Sequence, residues 1–277
     1  MEITENTWRP PQVQAMTGVA YEQVTELVER VEDYLGSWQP SCGRHREMGL
    51  FDAVTATLFY YRHNLSQEVT GAVFGVSQAT ISRVINTLEE PIAAVLDREV
   101  PELAEAIDGR VVIVDGTLLP TGNRAGHREL YSGKRRQAGA AIEVLCQLDG
   151  RLAHVSGPAV GSTHDLTAFR ASGLADALAE HMTNNMVFGD LGYLGEPVVM
   201  PTKTPKNGAL SPAQKAANKH LSELRAAVER CIAHLKNWKI LPPATAGRSK
   251  NLRSAYSPSP HSSSTDSTSG VLNSAHS

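Results

Sequence analysis

The stretch VVIVDGT, residues 111–117, decides the fold of this chain. Four consecutive β-branched apolar residues predict a strand that is buried on both faces of a sheet. Asp115 then follows at the predicted end of that strand, with Gly116 directly behind it. Burying a carboxylate costs free energy unless a partner compensates its charge. The stretch therefore predicts a central strand and a compensating partner for Asp115.

A second apolar strand is predicted to end in the same way, in MVFGDLGY at residues 186–193, where Asp190 stands between glycines. Two carboxylates at neighbouring strand ends would repel each other without a cation between them. A divalent metal removes that conflict, and oxygen ligands close to a phosphate substrate are typical of Mg²⁺. For either aspartate alone, a turn-forming Asp-Gly or a helix cap would be the better interpretation. The pair favours a metal site.

The order of predicted elements divides the chain into a helical part and a mixed part. Apolar residues at helical spacing predict helices over residues 11–36 and 48–62. Strands are predicted at residues 111–116, 140–148, 151–157 and 186–190, with helices at 163–170 and 212–240. Asp149-Gly150 predicts a hairpin between the second and third strands. The fold class is therefore α/β (α+β), preceded by a small all-α domain.

Residues 66–90 have the spacing of a helix-turn-helix. Gly71 allows a close helix crossing, Gly75 tolerates positive φ in the turn, and Ser77 is a good N-cap for the second helix. The side chains predicted to project from the exposed face of that helix, where major-groove readers lie, are Gln78, Thr80 and Arg83. An ordinary helical hairpin is the alternative. Since Arg83 is the only cation on this helix, phosphate contacts must come from elsewhere.

Composition and charge exclude several classes of protein. The three cysteines among 277 residues are too far apart for a metal knuckle or a disulfide framework, which fits a reducing compartment. Neither a secretion signal nor an apolar run of about 18 residues is present, so a cytoplasmic protein without a membrane partner is expected. Residues 201–254 hold eleven Lys and Arg against two acidic residues. This asymmetry indicates a polyanion partner, although a solvated basic face would look similar.

The predicted helix 212–240 contains ELRAAVERCIAHLKNWK, in which Arg225 and Glu229 are i, i+4 neighbours and Lys236 follows on the same face. Taken alone, this is a surface ion pair with a lysine nearby. Taken together, DGT, GSTHD, GDLGY and Arg-three residues-Glu-six residues-Lys resemble bacterial insertion-sequence transposases of the DDE type. The similarity is to the Harbinger-allied group, whose motifs also include one like YSGK at 131–134.

This resemblance covers residues 45–241 and implies the domain organisation. It implies a helix-turn-helix DNA-binding domain at 45–100 and a ribonuclease-H-like catalytic domain at 105–241, after an N-terminal helical segment at 1–44. The residues that match the acidic triad of the family, as catalytic groups and metal ligands, are Asp115, Asp190 and Glu229. Arg225 would orient Glu229. The side chains expected to hold backbone phosphates are Lys134, Arg135 and Lys236.

The implied function is a transposase that binds the terminal inverted repeats of its own element in double-stranded DNA. Two divalent ions, Mg²⁺ or Mn²⁺, would serve strand cleavage by water and then strand transfer to target DNA. Asp115 would bridge both ions. Because two ends react together, a homodimer or larger assembly on DNA is implied, associated with the nucleoid. The alternative is a catalytically defective or repurposed helix-turn-helix DNA-binding protein.

Two further features of the sequence need an explanation. Asp165 in GSTHD is either another acidic group near the metals or, with Ser162, a capping box at a helix start. The Ser-rich tail from 242 to 277 is predicted to be disordered. We also expect that tail to be read in a shifted frame, because another frame entered in the Ala244 codon can encode an amphipathic helix.

Overall fold

The computed structural model describes residues 8–98, 102–121, 128–180 and 186–241. These residues form two compact units, one made of residues 8–98 with 237–241 and the other of residues 102–236. The predicted disorder and frameshift of residues 242–277 lie outside the described residues. No helix within the described ranges combines the length and the apolar character that crossing a membrane requires.

The first unit is helical, as the sequence predicts. Its helices are α1 (Pro10–Thr17), α2 (Tyr21–Leu35), α3 (Leu50–His63), α4 (Gln67–Phe74) and α5 (Gln78–Asp97). Helix α2 is amphipathic and buries Val24, Leu27 and Val31. It packs against α3 and α5, while α1 packs against α3. Residues 237–241 join this unit through hydrogen bonds from the Lys239 and Ile240 amides to the backbone of α3.

Helices α4 and α5 form the predicted helix-turn-helix. A Cβ at Gly71 would lie 2.6 Å from the Val76 carbonyl oxygen, so only glycine permits this crossing. Gly75 ends α4 with φ of 69°, which a side chain would disfavour. Ser77 caps α5 by accepting a hydrogen bond from the Thr80 amide at 3.2 Å. The roles predicted for both glycines and for the cap are confirmed.

The second unit is a sheet covered by helices. Its strands are β1 (Val111–Pro120), β2 (Tyr131–Ser132), β3 (Gln137–Gln147), β4 (Leu152–Val155), β5 (Ala159–Val160) and β6 (Met186–Phe188). Its helices are α6 (Leu103–Ile107), α7 (Asp165–Ala171), α8 (Leu174–Glu180) and α9 (Pro212–Lys236), with 3-10 turns at Arg128–Leu130 and Leu191–Tyr193. The predicted hairpin at Asp149-Gly150 joins β3 to β4.

The pairing of the strands gives the sheet a mixed topology. Strands β1, β3 and β4 form an antiparallel meander, and β6 returns parallel to β1 on its other side. A parallel bridge from Phe188 to Val199 continues the sheet beyond β6. The predicted ribonuclease-H-like fold has the same order: an antiparallel meander, a parallel return strand and a late helix packed on the sheet. The predicted α/β class is confirmed.

Helices cover the two faces of this sheet. On one face, α7, α8 and the 3-10 turn at 191–193 close a core whose members include Val112, Val114, Leu145, Phe169, Leu174, Leu178, Val187 and Tyr193. On the other face α9 packs against β1 and β3. There the Cys146 thiol of β3 interacts with Cys231 of α9. Alternate residues of β1 therefore face different helices.

The predicted end of the first strand is wrong. We expected it to stop at Gly116, but β1 continues to Pro120 because β3 pairs with it as far as Gly139. Parallel pairing with β6, in contrast, covers only Val111 to Ile113. Asp115 thus lies within β1, beside the point where its parallel neighbour ends.

Candidate active site

Strands β1 and β6 bring Asp115 and Asp190 together. Their parallel register matches Ile113 with Phe188, and two residues further along the chain lie Asp115, within β1, and Asp190, just after β6. Side chains matched in this way leave the sheet on the same face. The charge of Asp190 accordingly raises the pKa of Asp115, although burial raises it more. The two predicted metal-binding aspartates are neighbours, as the sequence predicts.

Glycines around Asp190 leave room for its carboxylate. Asp190 follows β6 and accepts a hydrogen bond from the Gly192 amide through Oδ1 at 2.7 Å. A Cβ at Gly192 would lie 2.7 Å from that same oxygen, and a Cβ at Gly189 would lie 2.8 Å from Val198. Side chains at these two positions would displace either the carboxylate or the core beside it. The GDLG sequence therefore fixes where the Asp190 carboxylate points.

Helix α9 places cations over Asp115. Ile113 pairs with Cys146, which meets α9, so Asp115 on the same face of β1 also points to α9. Burial raises the pKa of Asp115, and the charge of Arg225 is the largest effect that lowers it. Burial and then the charge of Arg135 lower the pKa of Lys236, while Asp115 raises it. Basic groups from α9 and from the β2–β3 segment thus surround this carboxylate.

The Arg225 guanidinium contains a buried donor without a partner among the described residues. Its Nε is buried and donates no hydrogen bond to any atom of the part of the chain that the structure describes. A buried donor without a partner costs about 1–3 kcal/mol, so such a group usually serves a ligand or a rearrangement. The same residue, Arg225, is the largest cause that lowers the pKa of Asp115.

Glu229 lies on the same stripe of α9 but is exposed. It stands four residues after Arg225 and seven before Lys236, which at 3.6 residues per turn places all three within roughly 60° of one another. Among the described residues, no group of three or more His, Cys, Asp or Glu side chains is close enough to hold a metal ion. The structure therefore brings together the two aspartates of the predicted triad, without the glutamate.

The donor set nevertheless fits a divalent cation. Asp115 and Asp190 offer carboxylate oxygens, the ligands that Mg²⁺ and Mn²⁺ prefer. Their mutual repulsion is the conflict that a cation between them removes. The two aspartates could therefore supply part of the predicted metal site, which stays a prediction.

The YSGK segment reaches this region from the β2–β3 turn. Lys134 Nζ lies 2.6 Å from Asp165 Oδ2; the lysine side chain is largely exposed and that of Asp165 is partly exposed. Arg135 donates from Nη2 to the Gly116 carbonyl at 3.3 Å, and its charge lowers the pKa of Asp115. Of the three predicted phosphate-holding residues, Arg135 therefore lies near Asp115 and Lys134 lies beside Asp165.

The predicted capping box of Ser162 and Asp165 is wrong. Helix α7 begins at Asp165 with His164 at the N-cap, and no side chain caps it. The reason is that the helix starts two residues later than a cap at Ser162 requires. Asp165 pairs with Lys134 instead, and its charge raises the pKa of Glu143. The other alternative for Asp165, an acidic group near the metals, stays a prediction.

Glu143 is the site residue that the sequence analysis missed. Its side chain is 1% exposed within β3, opposite Gly116 of β1. The Tyr193 hydroxyl donates to its Oε2 at 2.6 Å. Burial, together with the nearby charges of Asp165, Asp115 and Asp190, raises the pKa of Glu143 to about 7, although the hydrogen bond from Tyr193 lowers it. The signal was visible in AAIEVLCQ, where one glutamate interrupts an apolar strand.

The second helix of the helix-turn-helix presents fewer side chains than we predicted. Thr80 is wrong as a groove reader, because it is 8% exposed and its hydroxyl donates to Glu47 Oε2 at 2.9 Å. Ser77 is occupied as the cap. Gln78 is exposed and donates to Gln67 Oε1 at 2.7 Å, and Arg83 is exposed. Gln78 and Arg83 remain as the outward-facing candidates.

A ribonuclease-H-like sheet with paired aspartates, joined to a helix-turn-helix, defines the class of DNA-processing enzymes with an acidic site. Residues 114–260 match the family described as "DDE superfamily endonuclease", and residues 46–97 match "Helix-turn-helix of DDE superfamily endonuclease". The chain belongs to the DDE superfamily endonucleases, a family that includes insertion-sequence transposases. Enzymes of this superfamily depend on divalent metal ions. The helix-turn-helix makes the chain a DNA-binding protein.

Two relatives carry transposase names. The chain is 32% identical over 201 residues to a protein of Streptomyces albus G named as the transposase for insertion sequence element IS112, covering 72% of this chain and 73% of that protein. It is 24% identical over 237 residues to the one named for IS702 of Microchaete diplosiphon, covering 82% and 83%. A cryo-EM structure of the piggyBac transposase synaptic complex with hairpin DNA matches with a TM-score of 0.32 and 14% identity, over 72% of this chain and 51% of that chain.

Proposed function

We propose that this chain is a transposase that binds the terminal inverted repeats of its own element and then cuts and joins DNA strands there. The observation that carries the proposal is the pairing of Asp115 with Asp190 under the cations of α9. A structural role alone would not require two adjacent carboxylates to be held against their own repulsion. The helix-turn-helix supplies the recognition of DNA that such an enzyme needs.

Asp115 and Asp190 would hold the divalent ions, with Glu229 of α9 as the third ligand. When bound, Mg²⁺ or Mn²⁺ would activate the attacking oxygen and stabilise the departing 3′ oxygen of the phosphodiester. Glu229 is exposed on α9, four residues after Arg225. A change of its rotamer, or a movement of α9 when DNA binds, would bring its carboxylate to Asp115 and Asp190. This placement of Glu229 is part of the proposal.

The other residues of the site would bind and orient the substrate. Arg225 would favour the ionised form of Asp115, because its charge opposes the effect of burial on the pKa of that carboxyl. Lys236 and Arg135 lie near Asp115 and would hold the phosphates on either side of the cut. Lys134 would do the same after leaving Asp165, since an exposed ion pair costs little to break.

The joining step requires two element ends at once. Water would open the strand at each end, and the freed 3′ hydroxyl would attack target DNA in a second reaction at the same carboxylates. One acidic site per chain then implies a homodimer or a larger assembly on DNA. The two ends would be held by two helix-turn-helix units.

The test is cleavage of a duplex that carries the terminal repeat bordering the gene. In Mg²⁺ we expect nicks at the repeat end followed by joined products, and in EDTA neither. Asp149→Asn is a matched control, since Asp149 is an exposed hairpin residue and asparagine keeps its acceptor for the Arg151 amide. Cutting without joining would reduce the chain to a nuclease. Specific binding without any cutting would instead favour the repurposed DNA-binding protein.

A further inference from the structure

The loop of residues 36–49, between α2 and α3, is fixed although it has no regular secondary structure. The Trp38 indole is buried and donates to the Met48 carbonyl at 2.7 Å, which ties the two ends of the loop together. The Arg46 guanidinium lies 4.2 Å from the centre of the Trp38 ring and donates from Nε to the Trp38 carbonyl. A loop clamped in this way holds its side chains in place before any ligand arrives.

This loop borders the start of the recognition helix. Glu47 Oε2 accepts a hydrogen bond from the Thr80 hydroxyl at 2.9 Å, which joins the loop to the first turn of α5. Between the loop and α5 lies a cavity of about 450 Å³, within the helical unit. The residues that give it polar character are Arg44, His45, Arg46, Ser77, Thr80 and Arg83. Glu47 is the one acidic side chain of its lining.

The charge of this cavity selects an anion. Three arginines and one carboxylate line it, and that carboxylate already accepts a hydrogen bond from the Thr80 hydroxyl and lies 3.9 Å from the Arg44 guanidinium. Guanidinium groups bind phosphate oxygens in pairs of parallel hydrogen bonds. The Arg44 side chain is 89% exposed and its ion pair with Glu47 is long, so it can turn towards a ligand.

We propose that this cavity binds a phosphate of the DNA backbone that borders the groove entered by α5, an inference that rests on the DNA-end binding proposed above. When the N-terminal turns of a recognition helix enter the major groove, the sugar–phosphate backbone passes beside them. The cavity lies at those turns. Arg83 is the single cation of α5, and the clamped loop supplies the others that backbone binding requires. The segment 36–49 is thus a second DNA-contacting element, ahead of the helix-turn-helix.

The experiment measures binding of the full chain to the terminal-repeat duplex and to a random duplex across a series of salt concentrations. Arg44→Ala should weaken binding to both duplexes about fivefold at 100 mM salt and lower the salt slope by about 0.9. Arg98→Ala is the matched control, because Arg98 is exposed at the far end of the same helix, about 22 Å from Arg83 at 1.5 Å per residue. It should change neither quantity.

A second variant tests the same cavity by a gain of binding. Glu47→Gln keeps an acceptor for the Thr80 hydroxyl and removes the only negative charge of the lining, so both duplexes should bind about twofold more tightly. Unchanged thermal melting of Arg44→Ala would show that its effect is not a loss of fold.

The outcomes separate this inference from the proposed function. Equal binding by Arg44→Ala and Arg98→Ala would overturn the phosphate site. Weakening on the terminal repeat alone would also overturn it, because the cavity would then read a base. A wild-type chain that binds both duplexes equally would overturn specific end binding, while the comparison of Arg44→Ala with Arg98→Ala on random DNA would still decide the phosphate site.

Discussion

Asp115 and Glu143 lie one residue apart in the register of β1 and β3, yet their side chains leave the sheet on opposite faces. On the α9 face, Arg225 and Arg135 lower the pKa of Asp115 against its burial. On the other face, the buried Glu143 has the Tyr193 hydroxyl as its partner, and other carboxylates raise its pKa further. Two acidic residues of one hairpin are thus prepared for different tasks. The face covered by cations suits the binding of metal and phosphate. The apolar face holds a carboxyl whose pKa is about 7.

The largest effect should come from removing the charge on the α9 face. Asp115→Asn and Asp190→Asn should each lower cleavage of the terminal-repeat duplex by about a thousandfold, because each removes a proposed metal ligand. Glu229→Gln should do the same. Binding of the duplex should stay within a few-fold, as measured by fluorescence anisotropy. Substantial cleavage by all three variants in Mg²⁺ would end the assignment of the triad.

The next effect concerns stability on the opposite face. The pKa of Glu143 rises from its ordinary value of 4.5 to about 7 on folding, so the folded chain retains a proton that the unfolded chain releases. This stabilisation is complete below about pH 4.5 and is lost as the pH rises through about 7. We expect this group to lower the free energy of unfolding by about 3 kcal/mol over that window.

Urea denaturation of wild type and Glu143→Gln at pH 5 and pH 8, in EDTA, measures this loss. Glutamine keeps an acceptor for Tyr193 and does not titrate, so the variant should lose less stability on going to pH 8. Glu223→Gln, at an exposed position of α9, should behave like wild type. A pH dependence shared by Glu143→Gln and wild type would contradict the raised pKa.

A smaller effect is expected from the cation above Asp115. Arg225→Gln removes the charge that most lowers the pKa of Asp115, so that pKa should rise. The acidic limb of the pH–rate profile for cleavage should then move to higher pH, with about a tenfold loss at pH 6. Arg230→Gln, at an exposed position one turn along α9, is the control. If both variants keep the wild-type profile, Arg225 has no part in ionising Asp115.

The smallest effect should follow from Tyr193→Phe, which removes the hydroxyl that donates to Glu143. The loss of one buried hydrogen bond should cost about 1–2 kcal/mol in urea denaturation. The same change in the Glu143→Gln background tests the coupling, since a bond to a neutral acceptor should cost less. Identical losses in both backgrounds would mean that Tyr193 acts on stability by packing alone.

Local patterns predicted most of this fold correctly, because strands, turns and caps depend on neighbouring residues. The glycines of the helix-turn-helix and the two aspartates after apolar runs are of this kind. The extension of β1 to Pro120 was not predicted, since pairing with β3 sustains it. The burial of Thr80 depends on Glu47, which lies in a distant loop. Contacts between residues far apart in sequence leave no periodic signal.

The acidic residues show the same limit. Glu143 could have been flagged as a charge within an apolar strand, but its partner Tyr193 is 50 residues away. Glu229 was assigned by resemblance to a family, and its assembly with the aspartates stays a prediction. The distance from Glu229 to the aspartates depends on how α9 is placed on the sheet. The helical spacing of Arg225, Glu229 and Lys236 shows only that they share one face of the helix.

The parallel pairing of β1 with β6 also has a consequence for the order of folding. Asp115 and Asp190 are 75 residues apart in the chain, and their contact requires a non-local strand pairing. Such pairings form late, since closing a long loop costs entropy before any contact repays it. The β1–β3 hairpin, in contrast, is local. A nascent chain that ends before residue 186 therefore carries Asp115 in a formed hairpin but still lacks Asp190, so the paired carboxylates can assemble only after about two thirds of the 277 residues have been made.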